Sequence, residues 1–193
     1  LVEQYPQLRT PAQVPDAVAF LVSEVMGGDR ERALRLVDQS PKMLTSKCIK
    51  QAWSELCDEV MEGDKERALR LVEQSPKVLT SKNIEQAWPE LCEQVMEGDK
   101  ERARQLVEQD PRMLSSKLVA SAFEDVVSGM MAGDKEKARQ LVEQYPQLLT
   151  SAQVPDALAF LVSDVMGGDR ERALRLVEQS PHMLRSKSIK QAW

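Results

Sequence analysis

Residues 63–82 read GDKERALRLVEQSPKVLTSK, and close copies of this stretch begin at Gly28, Gly98, Gly133 and Gly168. The Gly-Asp pairs step by a constant 35 residues, with no insertion or deletion. Self-similarity at such a period marks a repeat architecture, in which each unit buries its apolar face only by stacking on its neighbours. The units run 1–35, 36–70, 71–105, 106–140 and 141–175, with a partial sixth at 176–193, and are read as one domain spanning 1–193. Above this period lies a longer one, because residues 1–53 match residues 141–193 at 45 of 53 positions. The simplest account is duplication of a four-unit block, in a natural gene or by an engineer. The chain starts inside one element and stops inside another, as expected of an excerpt from a longer array or of an array with frayed ends.

Each unit is expected to hold two helices. Ile49, Ala52, Trp53, Leu56, Cys57, Val60 and Met61 follow helical spacing and make one apolar stripe, which alternation of period two fits poorly. Thr45 and Ser46 offer capping hydroxyls, and Gly63 supplies a left-handed stop, so the first helix, A, is predicted over roughly residues 47–61. Asp64 becomes the N-cap of the second helix, B, which reads KERALRLVEQ with Ala68, Leu71 and Val72 on its apolar edge. Pro76 ends helix B, since the residue before a proline is pushed out of helical geometry. Glu66 and Arg70 are spaced for an i, i+4 ion pair. Neither helix is stable alone, one being short and the other needing cover for its stripe. The expected fold is therefore all-α, an αα-hairpin solenoid of 35-residue tandem repeats.

The run from a helix ending in Gly-Asp to a helix carrying Ala33, Ala68, Ala103, Ala138 or Ala173 and then a proline resembles tetratricopeptide-like repeats. The 35-residue unit also resembles pentatricopeptide repeats. The resemblance covers the whole chain on a few positions per unit. Helix B is shorter than in either family, and the Trp-Leu-Gly-Tyr pattern of the tetratricopeptide first helix is absent. The resemblance implies a right-handed superhelix that binds proteins or peptides in the first family and single-stranded RNA in the second.

Composition narrows these options. A net charge of −5 and a sequence pI near 5.1 work against a phosphate-backbone partner, because such affinity comes largely from clustered Lys and Arg releasing counterions. RNA binding is thus the weakest alternative. No apolar run approaches the ~20 residues that cross a bilayer, and LVEQYPQLRT lacks the character of a secretory signal, so a cytoplasmic location is the default expectation. Cys48, Cys57 and Cys92 show no CxxC spacing, and His182 is the single histidine. No disulfide framework, metal site or cofactor is expected. No nucleophile elbow, phosphate loop, HExxH or EF-hand loop is present, and the chain is read as no enzyme.

Repeated polar and soft residues have structural readings that outweigh functional ones. Asp29, Asp64, Asp99, Asp134 and Asp169 each follow a glycine and open a helix, so capping accounts for them better than a cation ladder does. The column Met26, Met61, Met96, Met131 and Met166 and the aromatics Trp53, Trp88, Phe123 and Trp193 match core spacing. Cys57 and Cys92 lie inside the apolar stripe as inert thiols, whereas Cys48, near a helix start, is the better placed to react. His182 occupies a solvated position that other units fill with Gln7, Lys42, Lys77, Arg112 and Gln147.

Departures from the repeat carry more information. Phe20 and Phe160 stand on the polar side of helix A where the middle units have Glu55, Glu90 and Asp125. An aromatic there implies a contact with either the neighbouring helix or a partner. Pro89 lies well inside helix A and is expected to kink it, while Pro15 and Pro155 lie nearer its start. The outward positions of helix A, namely Asp16, Phe20, Gln51, Glu55, Gln86, Glu90, Asp125, Asp156 and Phe160, vary while the packing columns stay nearly constant. That contrast makes them the candidate surface for an unidentified protein or peptide. The alternative is self-association through uncapped ends.

Overall fold

The computed structural model describes residues 13–150, 157 and 159–180, and every regular element among them is helical. His182, Trp193, Asp156 and Pro155 lie outside the described residues. The backbone groups into two compact units, Leu1–Trp88 and Pro89–Trp193.

In the first unit, helix A is α1 (Gln13–Phe20), followed by a π-helical turn at Leu21–Val25. Helix B is α2 (Arg30–Gln39), and a 3-10 helix follows at Pro41–Thr45. The order then recurs as α3 (Ile49–Ser54), a π turn at Glu55–Val60, α4 (Lys65–Gln74), a 3-10 helix at Pro76–Thr80, and α5 (Ile84–Pro89). The second unit carries a π turn at Glu90–Val95, α6 (Lys100–Gln109), a 3-10 helix at Pro111–Ser115, α7 (Val119–Gly129), α8 (Lys135–Gln144) and a 3-10 helix at Pro146–Leu149. A π turn at Leu161–Val165 and α9 (Arg170–Gln179) follow.

Helix B forms where the sequence places it, and each copy opens on its aspartate. Asp29, Asp99, Asp134 and Asp169 accept the backbone N–H three residues on at 3.0–3.1 Å, and Asp64 accepts from both Glu66 and Arg67. Helix A with its last turn runs from Ile49 to Val60, close to the roughly 47–61 predicted, but Thr45 is not its cap. Its hydroxyl donates back to the Lys42 carbonyl at 2.9 Å, inside the 3-10 turn. Ser46 does accept a backbone N–H, from Cys48 at 3.3 Å.

The end of helix A is wound one residue wider than α. The Met61 N–H donates to the Leu56 carbonyl, five residues back, at 3.0 Å, and Gly63 donates to Cys57 at 2.7 Å. This closure recurs at Met26, Met96 and Met166. Two successive residues then take positive φ, Glu62 at 51° and Gly63 at 91°. Pro89 keeps αR dihedrals (φ −59°, ψ −41°) on the exposed side of its helix. The wide turn also occurs at Leu21–Val25 and Glu55–Val60, which contain no proline, so Pro89 is not its cause.

The proline after helix B starts an element as well as ending one. Pro41, Pro76, Pro111 and Pro146 each stand first in a 3-10 helix, where a fixed φ suits and the missing N–H costs nothing. Each such turn aims two apolar side chains inward. Met43, Leu44, Val78, Leu79, Met113, Leu114, Leu148 and Leu149 are at most 1% exposed. In the first unit the 41–45 turn packs against α1 and the 76–80 turn against α3; in the second, the 146–149 turn packs against α7. The core is therefore a seam of helix A, helix B and the 3-10 wedge.

Candidate functional site

The stripe residues and the soft side chains go to this core. Trp53, Trp88 and Phe123 are buried, as are Met26, Met61, Met96 and Met131, while Met166 is half-buried. Cys57 and Cys92 are buried, and burial, more than any neighbouring charge, pushes both thiols up to about 11. At neutral pH they are protonated and poor nucleophiles. Cys48 is half-buried beside Ser46. Among the described residues no group of three or more His, Cys, Asp or Glu is placed to hold a metal ion, and no helix is long and apolar enough to cross a membrane.

The outward face of helix A carries the variable positions. Asp16, Gln51 and Gln86 are exposed; Phe20, Glu55, Glu90, Asp125 and Phe160 are half-buried. The Gln51 amide donates to Glu55 at 2.7 Å along one turn. Phe20 finds a neighbour inside the fold, since the Lys50 ammonium lies 5.7 Å from its ring centre. This cation–π contact ties α1 to the start of α3. The equivalent residues 35 positions on are Glu55 and Glu85, two carboxylates that attract no such pairing.

Beside this contact lies an open groove of about 360 Å³ between α1 and α3. Ala17, Leu44 and Ile49 form its floor. Asp16 stands on one rim and Ser46, Lys47 and Lys50 on the other. Neither lysine makes an ion pair with a described residue, so two positive charges face solvent over an apolar floor.

A second polar feature escaped sequence reading. Arg139 and Arg104 are 4% and 7% exposed on helix B, in the column that other units fill with Leu34, Leu69 and Leu174. The Arg139 guanidinium donates Nε–H to the Val95 carbonyl at 2.8 Å and also bonds Glu97 and Glu136. It thereby caps the carbonyl end of the helix A that closes in the Glu90–Val95 turn, one copy before α7, where a cation opposes the negative end of the helix dipole. Helix B of one repeat is also tied to the next on the outer side. Arg32 meets Glu73 at 2.7 Å and Arg102 meets Glu143 at 2.7 Å, each pair 41 residues apart. The Glu66–Arg70 pair expected within one helix does not form, although its counterpart Glu171–Arg175 sits at 3.8 Å.

No protein-family model matches the chain, and comparison with curated proteins and with solved structures found no match.

Proposed function

We propose that the protein is a non-enzymatic helical-repeat scaffold, an αα-hairpin solenoid of 35-residue units that receives a protein or peptide along the outward face of helix A. The observation that carries this reading is the division of labour within each helix A. Inward positions repeat with little change and are buried, as Ala17, Ala52, Ala87 and Ala122 do, whereas the exposed column Asp16, Gln51, Gln86 and Ser121 runs through Asp, Gln and Ser. A surface free to change on a constant frame suits recognition, since packing does not restrain it. The recurrence of helix B at Arg30, Lys65, Lys100, Lys135 and Arg170 supports the solenoid. The depressed reactivity of Cys57 and Cys92 and the lone histidine support the non-enzymatic part.

A peptide-display selection against the full chain tests the reading. A reproducible consensus is expected, weakened by Gln51→Arg with Gln86→Arg and unaffected by Arg70→Gln on helix B. No consensus from a protein that stays monomeric would overturn it.

The near-identity of residues 1–53 and 141–193 favours one second reading, exchange of equivalent units between copies. A molar mass by light scattering that rises with concentration supports it; a constant monomer mass removes it.

A further inference from the structure

Resting on the peptide-scaffold reading, we propose that the groove between α1 and α3 is a docking site for an extended peptide that presents an apolar side chain beside a carboxylate. The floor of Ala17, Leu44 and Ile49 offers apolar contact, and Lys47 and Lys50 stand over it without ion-pair partners among the described residues. A volume of about 360 Å³ lies at the small end of the roughly 300–1,000 Å³ of ligand pockets, enough for one apolar side chain and its neighbour. Phe20 holds the Lys50 ammonium 5.7 Å from its ring, so one of the two cations is placed before any ligand arrives. Asp16, on the opposite rim, repels a second carboxylate there and so sets the direction of the peptide.

The Phe20–Lys50 pair is absent from the next two units, although Lys47 recurs there as Lys82 and Lys117. Where Lys50 stands, the next two units have Glu85 and Ala120, and where Phe20 stands they have Glu55 and Glu90. The same residue types return 140 residues later as Asp156, Phe160, Lys187 and Lys190, so the variants below change both sets of lysines.

Other occupants fit less well. A phosphate backbone meets two cations beside a carboxylate on a chain of net charge −5. A second folded copy offers Leu118 as the exposed large apolar side chain among its described residues, and the residue before it is Lys117, of the wrong sign.

The test pans a random heptapeptide library on the full chain and on two variants, one with Lys47, Lys50, Lys187 and Lys190 all replaced by Glu and one with all four replaced by Gln. Wild type is expected to enrich peptides with Asp or Glu next to Leu, Ile, Val, Met or Phe. A labelled peptide of the enriched sequence should bind each variant at least about tenfold more weakly, with helical content by circular dichroism unchanged in the Gln variant. If peptides are enriched but lack a carboxylate, or bind the Gln variant equally, this site is wrong and the scaffold reading survives. If nothing is enriched, both fall. Dimerisation of wild type that the Gln variant loses would assign the groove to a second copy instead, and oligo(U) binding lost in the same variant would assign it to RNA; either overturns the peptide.

Discussion

Ala132 holds a φ of 52°, in the column where Gly27 and Gly167 hold 58° and 59°. A β-carbon in this left-handed region costs about 1 kcal/mol or more relative to glycine, and Ala132 makes no compensating contact with charge as Glu97 does through Arg139. Ala132→Gly is therefore expected to stabilise the protein by about 1 kcal/mol, read as a higher urea midpoint at unchanged slope. At Asp134 the backbone N–H of Lys137, and then its ammonium, hold the carboxyl below its usual value of 3.8. A depressed value in the fold means that the carboxylate stabilises the fold above the unfolded value and ceases to do so as pH falls through the folded one. Asp134→Asn should accordingly flatten the acid limb of stability below pH 3.8, followed by circular dichroism. An acid limb identical to wild type would count against the cap. These aspartates were legible in sequence, since Gly-Asp before a helical run has a local meaning. The strain at Ala132 was not, because φ follows from how helix A closes.

At the scale of elements the unexpected piece is the 3-10 wedge after each helix B. Pro76 was legible only as the end of helix B, yet the PKVLT residues that it opens bury Val78 and Leu79, both 0% exposed. Leu79→Ala is expected to cost about 2–5 kcal/mol, whereas Lys77→Ala, two residues away and exposed, should change stability by less than about 0.5 kcal/mol; thermal and urea unfolding check both. Arg139 gives a sharper test of element packing. Its Nε–H serves the Val95 carbonyl, so Arg139→Ala leaves that carbonyl unmet and should cost about 2 kcal/mol. Arg139→Leu should cost less, because leucine at Leu34, Leu69 and Leu174 shows that this column also accepts an apolar filler. Equal losses for the two variants would show that the cost comes from the lost capping bond and ion pairs and that packing contributes nothing further; no loss in the leucine variant would show the reverse. The period-3.6 stripe predicted helix A, but the widened last turn depends on a bond from Met61 to Leu56 that no residue type announces.

For the whole molecule, net charge gives a test of association in solution. The sequence pI is near 5.1, and a protein with little net charge loses the repulsion that keeps copies apart. Turbidity and scattered light are expected to peak near pH 5 and to fall by pH 8; a flat profile would show that charge does not control association. The periodicity, the all-α class, the helix B boundaries and the aspartate caps follow from the sequence by itself, because each rests on spacing or on chemistry within four residues. Only the tertiary structure decided that Phe20 meets Lys50, that Arg139 is buried as a cap, and that Lys47 and Lys50 overlook an apolar groove. Those relations join residues about 30 or more apart along the chain, where neither helical period nor local capping constrains which side chain faces which.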